Sequence, residues 1–503
     1  MRRVILLTTT ALLLGACETL TGGHGLGPKA TPVVVDAPVS PKPDWVAYAP
    51  DDLPQTDWVS EFGDSRLPEL INEALEKNTD IRTAIARYDQ ALAQLKGAQA
   101  DRLPTLNGGV NVSRSEPFGG GGVVTIPGGG QVSVGGGTTN LGLGLNASWE
   151  ADVWGRIRDS VSSSELSASA SSADVAATKL LIASRVSQTW FNIIEAKLLV
   201  DLSARDIQTL EGALRLTERR FQGGVTSSSD VRLARSSVAN AKALEASRKQ
   251  SLASQTRALE ILLRRYPEGA IASTADLPTL PALSGAAQPG YILKRRPDLL
   301  AAERRMHAAG LNVDVARKNL YPRLSLSPTL NSSGSSLSTI FDVNNVIGNL
   351  AGNISQPIFQ GGALRANVAG QDAVLRQQIE GYTDTLLDAY LEVENALDAE
   401  QHLATREASL RVALSESRAA EERLEQRYVE GLATILELLD AQSRQISSEA
   451  QLITARKDRL ANRVALHVAL GGGVFGEEVT KDVDEVVPPV LNFGKLNFLS
   501  QDE

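Results

Sequence analysis

One cysteine, Cys17, stands in 503 residues. A lone thiol excludes an internal disulfide framework and a cysteine zinc site. Histidine is nearly as scarce: His24, His307, His402 and His467 lie far apart, and no two share a metal-ligand spacing. Met1 and Met306 are the only methionines, so no methionine cluster exists to hold a soft metal ion. There is no Walker loop, HExxH or GxSxG motif, and no residue set for an enzyme or a cofactor site. Aromatic residues are only 4% of the chain while Ala, Ser, Leu, Gln, Arg and Glu abound, the composition of long, closely packed helices. Beyond residue 16 no run of about 18 apolar residues occurs, so no transmembrane helix is expected there. Positive charge is also short, and a formal net charge of -9 argues against nucleic acid as a partner.

The N-terminus is laid out as a secretory signal over residues 1–16. Met1-Arg2-Arg3 is a basic n-region, and Val4 to Leu14 is an apolar h-region too short to span a bilayer. Gly15 and Ala16 are small, as cleavage requires. Leu14-Gly15-Ala16-Cys17 resembles a bacterial lipobox, in which the cysteine carries lipid and becomes the mature N-terminus. Lipidation of Cys17 also accounts for the missing partner cysteine in a compartment that favours disulfides. Glu18 is not the aspartate that retains enteric lipoproteins in the inner membrane, which points to the outer membrane. Loss of Arg2 and Arg3 with the signal moves the formal charge from -9 to -11.

The rest of the chain reads as a duplication. Asn78-Thr79-Asp80-Ile81 returns at an offset of 218 as Arg296-Pro297-Asp298-Leu299, and the same offset sets Ala91 on Ala309, Ala98 on Ala316 and Pro104 on Pro322. At an offset of 207, RRFQGGVTSSSDV (219–231) matches QRYVEGLATILEL (426–438), with Gly224 on Gly431 and Asp230 on Glu437. The repeats are expected at 66–285 and 286–473, after a lipidated N-terminal segment and linker (17–65) and before a C-terminal tail (474–503).

Each repeat opens with a helix, 69–96 and 298–319, ended by Pro104 and Pro322. A β-hairpin follows, at about 105–149 and 323–357. Leu141, Leu143, Leu145, Ala147 and Trp149 alternate with Asn140, Gly142, Gly144, Asn146 and Ser148, so one face alone is apolar. The glycine-rich stretch 118–137 reads as a flexible loop, matched by 331–346. Long helices are expected at about 156–220 and 363–427, the first with a stripe of Ile182, Val186, Trp190, Ile193, Leu198 and Leu202. At ~1.5 Å per residue each approaches ~100 Å. Gly224 and Gly431 suit left-handed caps at the turns. Return helices free of Gly and Pro run over 226–266 and 433–470.

Ten-residue strands with one apolar face match a tilted strand crossing a bilayer. Lipid admits only helices and closed barrels. Four strands are too few to close, so several chains must share a barrel; two chains give a filled interior and three give twelve strands and a lumen. The long helices would continue it as a tube. Phe118, Trp149, Trp154, Phe341 and Phe359 flank the strand ends as candidate interfacial girdles.

RRPDLLAAERRMHAAGLNVDVARKNLYPRLSLS (295–327), SWEADVWGRIR (148–158), QPIFQGGALR (356–365), RYVEGLATILELLDAQ (427–442) and VALHVALGGG (464–473), with the lipobox, resemble the TolC-like outer-membrane efflux proteins. Within them they resemble the lipoprotein branch of resistance-nodulation-division (RND) systems, of OprM/NodT type. The resemblance implies a mainly helical homotrimer, its periplasmic tunnel topped by a twelve-stranded barrel in outer-membrane lipid. It also implies an equatorial belt drawn from the N-terminal segment, residues 267–290 and the tail, and partners in a periplasmic adaptor and an inner-membrane RND pump. The function implied is a passive exit duct for drugs or other small toxic compounds.

By family position the tip gate maps to Asp440 and Glu437 after the second turn, Arg427 and Tyr428 before it, and Asp230 in the first repeat. Ala433 stands where some members carry a basic residue, and Glu437 where Asp is common. Competing readings are a type I protein-secretion duct, a metal-ion efflux duct, and a lipid-anchored coiled-coil adaptor or structural protein. The two hairpin systems set the chain apart from an adaptor, which has one.

Overall fold

A computed structural model describes residues 44–47, 57–116, 122–134, 137–274, 276–283, 285–286 and 288–473. Cys17, Phe118 and the tail 474–503 lie outside the described residues.

The first repeat begins with α1 (Arg66–Lys77) and α2 (Thr79–Ala100), where the sequence pattern predicts one helix. Asn78 breaks it: its extended backbone leaves the helix, and its Oδ1 accepts from the amides of Asp80 (2.8 Å) and Ile81 (3.4 Å), starting α2. Then come β1 (Thr105–Ser115), β2 (Gly122–Ile126), β3 (Gly130–Val134), β4 (Thr138–Ala151) and two antiparallel helices, α3 (Arg156–Gln222) and α4 (Ser228–Leu262). The second repeat gives α5 (Pro297–Lys318), β5 (Arg323–Gly334), a one-turn α6 (Leu337–Ile340), β6 (Val346–Ser355), α7 (Ala363–Val429) and α8 (Ile435–Ala469). The long helices α3 and α7 each have 67 residues, and the return helices α4 and α8 each have 35.

The two hairpins are fused. Strands β1, β4, β5 and β6 form one antiparallel sheet in that order. Its register keeps like with like: Val110 faces Leu143, Leu145 faces Leu330 and Leu324 faces Ile354, while Asn107 faces Asn146 and Asn146 faces Thr329. One face is therefore apolar across all four strands and the other carries Asn, Ser and Thr. The expectation of a flexible loop at 118–137 is corrected. Residues 122–134 pair as the β2–β3 ribbon, because β-branched Val123, Val124, Thr125 and Ile126 lead into a Pro-Gly-Gly turn.

Below the sheet the helices make columns. α3 packs against α2, α4, α5 and α8, and α7 packs against α5 and α8. Short helices are joined end to end at the repeated motif. Asn78 Nδ2 donates to the Leu262 carbonyl at the end of α4 (2.8 Å), and Arg296 donates to the Ala469 carbonyl at the end of α8 (3.0 Å). Arg296 also holds Asp298 and Glu392, each at 2.6 Å. Two helices thus behave as one column with their end groups satisfied.

The main apolar core lies at these joints. Trp58, Phe62, Ile71, Val186, Trp190, Phe191, Leu259 and Val464 are buried together. The segment before α1 is held there by the Trp190 indole, which donates to Asp64 (2.7 Å), and by His467 stacked on Trp58 at 5.9 Å. Trp45 lies edge-on to Tyr390, and the amides of Val46 and Ala47 donate to Glu394 at 2.8 and 3.0 Å.

Candidate functional site: the helical tip

The two hairpin turns lie at the ends of α3 and α7, farthest from the sheet. Gly224 (φ 73°) and Gly431 (φ 82°) take the left-handed conformation. The amide of Val225 donates to Arg220 O (2.8 Å) and that of Leu432 to Arg427 O (2.7 Å), closing a Schellman motif in each repeat.

Each return helix then starts with a capping box. Asp230 accepts from the amide of Ser227 (3.0 Å), the Ser227 hydroxyl (2.9 Å) and Thr226 Oγ1. Glu437 accepts from the amide (2.7 Å) and hydroxyl (2.9 Å) of Thr434. These bonds hold both carboxyls below the usual range, led by the Thr226 hydroxyl for Asp230 and the Thr434 amide for Glu437. Sequence position marks both as gate carboxylates; the structure finds each committed to its own helix start.

Tyr428 is buried in a tip cluster with Leu210, Ala213, Val238, Ile435 and Leu438. Its hydroxyl lies 2.8 Å from Thr217 Oγ1, and the Arg220 guanidinium sits 4.7 Å over its ring while donating to its carbonyl. The second turn is thereby fastened to α3. Arg220 and Thr217 escape the sequence reading, although Arg220 sits in the repeated RRFQGG motif.

Arg427 donates to Leu432 O (3.1 Å), and Asp440 pairs with Arg444 one turn on (2.9 Å). Within one protomer Arg427 and Asp440 do not bond each other. Asp440, Arg444 and Leu436 share the exposed face of α8, opposite buried Ile435, Leu438 and Leu439. At the sheet end, the Trp149 indole donates to Arg102 O (3.0 Å) and that of Trp154 to Pro322 O (2.7 Å), while Phe341 and Phe359 are exposed. Among the described residues no group of His, Cys, Asp and Glu is arranged to hold a metal ion, and no helix is long and apolar enough to cross a membrane.

The family model described as outer membrane efflux protein matches residues 70–263 and 289–472. The pyoverdine export outer membrane protein OpmQ of Pseudomonas putida is 29% identical over 459 residues, 90% of this chain and 96% of its own. The cation efflux system protein CusC of Escherichia coli O6:H1 is 28% identical over 426 residues, 84% of this chain and 90% of its own. The solved outer-membrane channel OprN aligns with a TM-score of 0.76 at 28% identity, covering 90% of this chain and 99% of that one. The chain therefore belongs to the outer membrane efflux protein family, is an outer-membrane efflux channel, and has the helical-tunnel fold with four barrel strands per chain.

Proposed function

We propose that three copies close one twelve-stranded barrel and one helical tunnel, forming the passive outer-membrane duct of a tripartite RND efflux system, anchored by lipid on Cys17. The carrying observation is the four-stranded sheet itself. It has one apolar face in register across every strand, and β1 and β6 remain open at its edges. An interior lined by the Asn, Ser and Thr face is wet and weakly selective, so the cargo is chosen by the pump. The relatives' names accord with this, since one exports cations and another pyoverdine.

The tip is the gate. Three copies of Asp440, each paired with Arg444 on the exposed face of α8, bring carboxylates toward the axis and ring the constriction with charge. Arg427, Glu437 and Asp230 fix the turns that carry it, and the Tyr428–Thr217–Arg220 cluster fastens the second hairpin to the first. An adaptor that binds the splayed tip better than the closed one shifts the balance toward opening.

Planar-bilayer conductance tests this reading. Wild type is expected to give small currents and Arg427→Ala/Asp440→Ala large ones. Equal large currents would retain the pore and remove the gate. No current from inserted protein would remove the duct.

A further inference from the structure

Between the joints and the tip, one carboxylate is held from three helices. Glu449 of α8 is 8% exposed. Its Oε1 accepts from Arg205 of α3 at 2.7 Å, and its Oε2 from Arg418 of α7 at 2.7 Å and Gln445 at 2.9 Å. It lies 18 residues beyond Gly431, about 27 Å up the helix from the turn.

The three bonds have different mechanical meanings. Arg418 joins α7 to α8, which are tied elsewhere too: Arg459 bonds Glu407 (2.7 Å) and Glu400 (2.6 Å), and Arg463 meets Glu400 at 3.1 Å. The α7–α8 hairpin is therefore braced internally by buried charge pairs, which fix register where apolar packing alone would slip. Arg205 instead joins this hairpin to α3, in the other repeat. Above it the hairpin meets α3 through Glu195, bonded to Thr454 at 2.7 Å. Below it comes the Tyr428 cluster.

The junction also carries excess negative charge. Burial, with neighbours Glu425, Asp206 and Glu449, pushes the Glu421 carboxyl up against the pull of Arg418, and burial does the same to Asp206 against Arg248. Carboxylates of both repeats thus meet here, Asp206 beside Arg248 and Glu421 beside Arg418 and Glu449. With Arg205 in place α3 is bridged to Glu449; without it Asp206 of α3 opposes Glu421 of α7.

We propose that Arg205 and Glu449 are positioning residues forming a second latch, which holds the α7–α8 hairpin against α3 and keeps the tip closed. This rests on reading the tip as a gate. As the hairpin leaves α3 the bond breaks, the exposed carboxylates repel, and opening that has begun is favoured.

The test is bilayer conductance of the full-length lipoprotein as Arg205→Met and Arg205→Lys, with Arg427→Ala/Asp440→Ala alongside. The Arg205 side chain is 60% exposed in the protomer, so its loss leaves no hole in a core. Arg205→Met is expected to raise conductance at least about threefold, the reach of one half-exposed ion pair repeated in each protomer. Arg205→Lys keeps the charge and is expected to stay at the wild-type level. Arg205→Met as tight as wild type, beside an open tip variant, would overturn the latch and keep the gate. Equal leaks from Met and Lys would also overturn it, because charge would not be the cause. A tight tip variant would remove the gate reading and the latch with it.

Discussion

At the residue scale, the last turn of α8 buries an imidazole with no charge to spend. His467 is fully buried, stacked on Trp58, with its Nε2 3.8 Å from Glu61 and Arg463 one turn before it. Burial, and then Arg463, push its pKa down to about 4. The folded value lies below the unfolded value of about 6.5. Above pH 6.5 both states are neutral and His467 adds no pH dependence. As pH falls toward 4 the unfolded chain takes up a proton that the fold refuses, so stability is lost, by about 3 kcal/mol per chain in full. His467→Phe, which keeps the stack, is expected to flatten urea midpoints in detergent between pH 6.5 and 4. Identical acid profiles for the two proteins would contradict the assignment. His467 reads in the sequence as one of four scattered histidines, because its cover, Trp58, comes from the opposite end of the chain. The capping boxes were nearer to hand: Ser227-x-x-Asp230 and Thr434-x-x-Glu437 have the spacing of that motif. Family position drew both carboxylates toward the axis instead.

At the scale of elements, the repeated Asn78 and Arg296 positions turn four short helices into two columns. Arg296 is a buried cation with two carboxylate partners and a helix-end carbonyl. Arg296→Met leaves the Ala469 carbonyl without this donor while Asp298 and Glu392, both partly exposed, fall back on water, and it is expected to cost about 1–3 kcal/mol. Asn78→Ala removes a cap and one carbonyl partner and is expected to cost about 1–3 kcal/mol. Denaturant midpoints of the detergent-solubilised protein check both, and a silent Arg296→Met would show that the joint does not hold the column. The long helices were plain in the sequence, since Ile182, Val186, Trp190 and Ile193 recur at helical spacing and all four are fully buried. The break at Asn78 was not, because α1 and α2 continue one apolar rhythm and the local cap on Asp80 and Ile81 is completed by a bond to distant Leu262. The β2–β3 ribbon was hidden by the glycines around it.

For the whole molecule, alternation within β4 announced a one-faced strand, and the membrane argument followed from strand length and number. That the two hairpins join through β4 and β5 was not legible, because the joining pairs, such as Leu145 and Leu330, come from different repeats. The edges β1 and β6 then define how chains meet, and the polar face supplies positions that a reagent can reach from the lumen. The direct measurement is cross-linking in native outer membranes of Asn111→Cys/Asn349→Cys, with a short thiol-reactive linker. A ladder ending at three chains is the expected result. A ladder that stops at two, runs past three, or never leaves the monomer would contradict the shared barrel.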